Sequence, residues 1–277
     1  MMFRALSRDL RQSPGSYAAY LFLLLLLVCI AAGGLISPFK ANEPVGEILS
    51  APGGAHPLGT DSLGRDVLSY LIAGAATSLG VAVAVAICNL MLGLILGSVA
   101  GFFRGPIDAV ISRVMEFFQI VPAFVVALVV VAVLGNEWRN IIIALVIGMW
   151  VRMGRLVRSQ YLTYRERDFV ASLQSQGFRA PTIMAVDILP AALVPILVQF
   201  ALDVGLALLF FSGLTFLGLG DPDVPSWGLM LNYGQSQLLR APWISAFAGA
   251  AIVATVIAFN LVADHISAKL DRREVLV

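Results

Sequence analysis

Residues 76–103 read ATSLGVAVAVAICNLMLGLILGSVAGFF, and no position in the run carries a charge. A helix rises about 1.5 Å per residue, so this run exceeds the roughly 30 Å hydrocarbon core of a bilayer. It reads as a spanning helix that tilts or protrudes. Gly93, Gly97 and Gly101 repeat every four residues, with Gly80, Ala82, Ala84 and Ala86 before them. Such spacing lets another helix approach closely. That helix belongs either to this chain or to a second subunit. Asn89 reads as a packing group within the span.

Five further runs satisfy the same criterion, at about 17–37, 110–134, 140–160, 188–216 and 243–264. Pro122, Pro190 and Pro195 lie in or beside them, which a bundle tolerates where neighbours satisfy the freed carbonyls. The first run exceeds the length of a signal peptide's apolar core, and Ser37-Pro38-Phe39 is not a small-x-small cleavage site, so it reads as an uncleaved span. The rest of the 277 residues agrees: 59% are hydrophobic and only 13% charged, where a soluble domain carries about a quarter charged. A soluble enzyme, a disordered chain and a disulfide scaffold are thereby excluded. Cys29 and Cys88 sit in apolar runs as packing residues. A net charge of +1 gives no field to attract nucleic acid. The fold class is an all-α integral membrane protein with six transmembrane helices.

Lys and Arg placement orients it. With the N-terminus in the cytosol, the inner side takes Arg4, Arg8, Arg11, Arg104, Arg113, Arg152, Arg155, Arg158, Arg165, Arg167, Arg179, Lys269, Arg272 and Arg273. Only Lys40, Arg65, Arg139 and Arg240 stay outside. The organisation is a cytosolic N-terminus at 1–16, a first span at 17–37, an extracytoplasmic loop at 38–75, a five-helix core at 76–264 and a cytosolic tail at 265–277. No G-x-x-x-x-G-K-[ST] phosphate loop occurs, so uphill transport draws on an ion gradient or on another polypeptide.

Residues 161–187, YLTYRERDFVASLQSQGFRAPTIMAVD, form the one long inner loop. Thr163 reads as a helix N-cap with Glu166 three residues on. Phe169, Val170, Leu173 and Gln176 follow at helical spacing, and Gly177 ends the helix. A second short helix begins near Ala180-Pro181. The loop is either a solvated connector or a docking element, and Phe169, Phe178 and Ile183 favour docking.

On these residues the chain resembles the permeases of binding-protein-dependent ABC importers. Their loop motif is E-A-A-x-x-x-G, nine residues, then I-x-L-P. Gly177, Leu189 and Pro190 match it, while Ala171 stands at the Glu position, Ser172 at the first Ala position and Asp187 at the Ile position. Three more stretches resemble the dipeptide, oligopeptide and nickel branch: HPLGTDSLGRDVLS at 56–69, SGLTFLGLG at 212–220 with PSWG at 225–228, and FNLVAD at 259–264 with LDR at 270–272. The pattern is similar to the second of two paired permeases.

The resemblance implies the type I importer fold and a location in the bacterial cytoplasmic (inner) membrane. It implies a homologous permease that shares the path, two cytosolic ABC ATPases that bind ATP and Mg, and an extracytoplasmic binding protein. This chain would hold no cofactor, metal or catalytic residue. The coupling helix would run from about Glu166 to Gly177. With Ala171 at the Glu position, Arg165, Glu166, Arg167 and Asp168 are expected to supply polar contacts beside Ser172 and Phe178. The cargo is a small peptide, a glutathione-like molecule, or a nickel or metallophore complex.

Asp203 stands deep in the fifth run with Gln199 one turn earlier. An ionisable residue there faces a water-filled path or a structural partner. Glu116 reads as an interfacial group. In the outer loop Asp61, Arg65 and Asp66 form a local cluster, with a short interfacial helix expected over 66–74. Trp227 reads as an interface anchor. These four either fold the outer vestibule or meet the binding protein. A rival function is a gradient-driven transporter using Asp203, although no internal repeat supports it. A membrane enzyme is excluded, since His56 and His265 fall on opposite sides.

Overall fold

The computed structural model describes residues 14–274; Arg4, Arg8 and Arg11 lie outside them. In chain order the helices are α1 (Pro14–Ala31), α2 (Gly33–Ile36), α3 (Val67–Phe103), α4 (Gly105–Ile120), α5 (Ala123–Leu134), α6 (Trp138–Arg165) and α7 (Asp168–Ser175). They continue with α8 (Ala180–Phe216), α9 (Trp227–Gln235) and α10 (Pro242–Glu274). Five of these are long and apolar enough to cross a membrane, and the bent pair α4–α5 makes a sixth.

Glycine decides how the centre packs. A Cβ on Gly97 would lie 2.4 Å from the Gly154 carbonyl oxygen, and one on Gly101 would lie 2.6 Å from that of Arg158. The Gly93-Gly97-Gly101 stripe is therefore the seam between α3 and α6 within this chain. Around it Ala82, Val85, Ala86, Ala144, Leu145, Val204, Leu208 and Phe211 form the main core. By contrast, α1 leaves Leu21, Leu24, Leu25 and Leu27 exposed and touches α10, where Tyr17 and Tyr20 meet the His265 ring edge-on.

Four boundaries differ from the sequence reading. The run at 110–134 is not one straight helix: α4 and α5 meet at 83°. Val121 is extended there (φ −96, ψ 130) because Pro122 excludes the helical conformation from the residue before it. The expected interfacial helix at 66–74 is the first two turns of α3, so the loop assigned to 38–75 ends at Asp66. The tail assigned from residue 265 is a continuation of α10. Finally, α8 opens with a π-helical stretch, Ile183–Ile188, in which Leu189 N–H donates to the Met184 carbonyl. The wider turn accommodates Pro190, which has no N–H to give the preceding turn.

Candidate functional site

Two ends of the bundle carry polar structure. At the end built from residues 38–66, Asp66 caps α3, accepting from Ser69 N at 2.8 Å and Ser69 Oγ at 2.7 Å. His56 Nδ1 lies 2.9 Å from the other Asp66 oxygen. Asp61 closes its own turn by accepting from the Leu63 and Arg65 amides and from Arg65 Nε at 2.6 Å. The Arg65 guanidinium is stacked between the Tyr70 and Tyr233 rings, 4.6 and 4.8 Å from their centroids. Trp227 donates Nε1–H to the Leu71 carbonyl and its backbone N–H to Ser78 Oγ.

All four expected residues here, Asp61, Arg65, Asp66 and Trp227, are buried, none more than 5% exposed. They tie the segment to α3 and α9, and none is presented to a partner. Trp227 is not an interface anchor: Ser226 caps α9, and the first turn of that helix points the indole into the core.

At the opposite end α6 ends at Arg165, and α7 lies beyond it. Thr163 caps nothing: it lies inside α6, and its hydroxyl bonds back to the Ser159 carbonyl. The short helix α7 therefore starts at Asp168, two residues later than expected. Its end is a complete Schellman motif, with Phe178 N–H donating to Leu173 O and Gly177 N–H to Gln174 O. Gly177 sits at φ +86, which glycine adopts without strain.

Val170 anchors α7 in a second core with Phe102, Met153, Val157, Tyr161 and Ile188. Tyr161 and Tyr164 brace α8 from below by donating to the Met184 and Ala191 carbonyls. The exposed residues of this loop include Arg167, Asp168, Phe169, Ala171, Ser172 and Phe178. Leu189 packs against the second core, while Pro190 is exposed.

Two of the expected polar contacts turn out to be engaged within the chain. The Arg165 guanidinium lies over the Phe102 ring, 5.7 Å from its centroid. Glu166 pairs with Arg104, which holds its carboxyl below the usual carboxylate range. Arg165 is thus taken up against Phe102, while Glu166, although paired with Arg104, stays exposed together with Arg167 and Asp168.

Within the bundle, Gln199 Nε2 donates to Asp203 Oδ1 at 2.7 Å. Asp203 is fully enclosed, so of the pair only Gln199 reaches the surface. Asp203 Oδ2 and both amide atoms of Asn89 have no hydrogen-bond partner among the described residues. The sequence reading missed a polar face on α6. Arg152, Arg155, Ser159, Thr163 and Glu166 are all exposed at three- and four-residue spacing. That spacing is present in the sequence, where Arg152 and Arg155 fall within the run at 140–160 and serve there only to set the orientation.

The comparisons agree with this architecture. Residues 93–275 match the family model described as "Binding-protein-dependent transport system inner membrane component". The chain is 34% identical over 267 residues to the glutathione transport system permease protein GsiD of Pectobacterium atrosepticum, covering 95% of this chain and 88% of that protein. It is 36% identical over 247 residues to the dipeptide transport system permease protein DppC of Alkalihalophilus pseudofirmus, covering 89% and 81% respectively. The Escherichia coli glutathione permease is 35% identical over 267 residues. A chain with this set of spans, this loop and these relatives belongs to the family of binding-protein-dependent inner-membrane transport components, and is a permease subunit of an ABC importer.

Proposed function

We propose that this chain forms one half of an import path for small peptides, including peptide-like thiols such as glutathione, across the bacterial cytoplasmic membrane. A homologous permease supplies the other half. Two cytosolic ATPases bind ATP and Mg, and this chain docks on one of them through α7. An extracytoplasmic binding protein delivers cargo at the end built from residues 38–66. Both termini are cytosolic, as the 14 basic residues on that side support. This orientation also places Arg167 and Arg179, beside the exposed face of α7, in the cytosol.

The observation that carries this reading is α7 itself. A two-turn helix is held by one buried residue, Val170, and closed by a Schellman motif, yet it presents Phe169 and Phe178 to solvent at 40% and 49% exposure. An apolar surface kept this rigid outside the bundle serves a protein partner. Cargo passes along the α6 face and Gln199, with Asp203 orienting the Gln199 amide. An exposed arginine within a span faces water or protein rather than hydrocarbon, so Arg152 and Arg155 mark the same side.

The test uses the assembled importer in proteoliposomes, with dialanine, glutathione and a nickel chelate as probes. A Cβ at Gly177 would meet nothing within 4 Å, but Gly177→Trp forces a side chain onto a strained φ. Uptake should fall at least tenfold (at least about 1.4 kcal/mol of coupling) while insertion and assembly persist. Unchanged uptake would remove α7 as the coupling element. Uptake of the nickel chelate alone would overturn the cargo class.

A further inference from the structure

Arg104 joins α3 to α4 with φ 54 and ψ −165. An L side chain at such angles crowds its own backbone, and glycine dominates this region. Gly105 stands next in the chain, itself at φ 61, yet arginine occupies the strained position. The Arg104 side chain reaches α6 and pairs with Glu166. Glu166 is the residue at which α6 ends, and Arg167 then leads into α7.

One turn into α4, Asp108 grips Arg158 of α6 with both oxygens, at 2.5 and 2.7 Å. The start of α4 is therefore fixed to α6 at two points. One of them lies immediately before the docking helix.

Stability does not account for the arginine. The pair is solvent-exposed, 41% at Arg104 and 67% at Glu166, and an exposed ion pair contributes less than a left-handed backbone costs. Glycine at 104 would be the more stable choice. A connection between moving parts does account for it. α4 begins at this joint and runs into the 83° bend with α5, so a pull at Glu166 acts at the root of the bent span.

We infer that Arg104 is a positioning residue: a strap that passes displacement of α7, through Glu166, to α4 and the bent α4–α5 span. This rests on α7 being the ATPase-docking helix. Cutting the strap leaves α7 free to follow the ATPase while α4, still held to α6 through Asp108 and Arg158, no longer follows α7.

The test uses the assembled importer with Cys29 and Cys88 replaced by Ser. Spin labels at Ser175→Cys and at Phe117→Cys, each paired with one at Val253→Cys, report α7 and α4 separately. ATP with vanadate should shift both in the parent. In Arg104→Gly and in Glu166→Gln the α7 shift persists, the α4 shift is lost, and dialanine imported per ATP hydrolysed falls roughly five- to tenfold. The double exchange Arg104→Glu with Glu166→Arg restores part of both. Arg104→Gly should not lower the melting temperature, because it relieves strain.

An α4 shift retained in Arg104→Gly, or retained in Glu166→Gln should the glycine variant fail to assemble, overturns the strap while leaving the docking reading intact. Absence of any α7 shift in the parent would instead overturn the docking reading.

Discussion

At the level of single residues, the pair of Gln199 and Asp203 sets an unusual balance. A carboxylate with one oxygen bonded and the other unpartnered is costly to enclose, and its contribution is to fix the amide in front of it. Asp203→Asn keeps an acceptor for the Gln199 amide and should preserve expression while altering uptake. Asp203→Ala removes the acceptor and strands the Gln199 N–H, a loss of about 1–3 kcal/mol. Melting of the two purified variants, read beside dialanine uptake, separates the roles. Equal uptake in Asp203→Asn and the parent would show that the charge plays no part in transport. The location of this pair in a span was legible from sequence, because one Asp interrupts a long apolar run. Its enclosure was not, because burial depends on which face α3 and α6 cover.

At the level of elements, α3 and α6 approach so closely that a methyl group decides their spacing. Gly97→Ala places a carbon against the Gly154 backbone oxygen, which cannot rotate away, and should destabilise the bundle by about 1–3 kcal/mol. Gly80→Ala on the same helix meets nothing within 4 Å and should be neutral or stabilising, since alanine favours helix by about 1 kcal/mol over glycine. Thermal melting in detergent measures both, and equal melting of the two variants would sink the account. The glycine repeat told the sequence reader that a close approach exists, and α6 proves to be the partner. Pro122 is likewise in view in the sequence, but a proline in a bundle span can be absorbed with little bending, so the 83° angle is not legible. Contacts between distant positions, such as Arg104 with Glu166 and Arg158 with Asp108, leave no periodic trace at all.

Across the whole molecule, apolar periodicity and turn residues make the membrane class, the spans and the short helix α7 legible, because each is a local or additive property. At the 38–66 end the sequence leaves open whether the polar cluster folds the outer vestibule or meets a partner, and only the interface anchor read for Trp227 is overturned. Asp61, Arg65, Asp66 and Trp227 are polar or amphipathic residues that suit a surface as well as a satisfied interior, and only tertiary pairing chose the interior. Orientation has a direct check. A lone cysteine at Ser175 should react with an impermeant maleimide only after the cytosolic face is opened, and one at Leu239, fully exposed beyond α9, should react from outside intact cells. Reversed labelling would invert the topology.

The bend between α4 and α5 carries a further consequence when treated as a problem of solvation. Helical carbonyls one turn before Val121 find no amide in Pro122 and an extended backbone ahead of it. Hydrocarbon offers such oxygens nothing, and stranding them there would cost several kcal/mol each. A neighbouring helix or water on this flank would satisfy them, and Phe117 and Ile120 beside the break are open in the isolated chain. The break thus asks for a polar or protein neighbour at a point where the rest of the span asks for none.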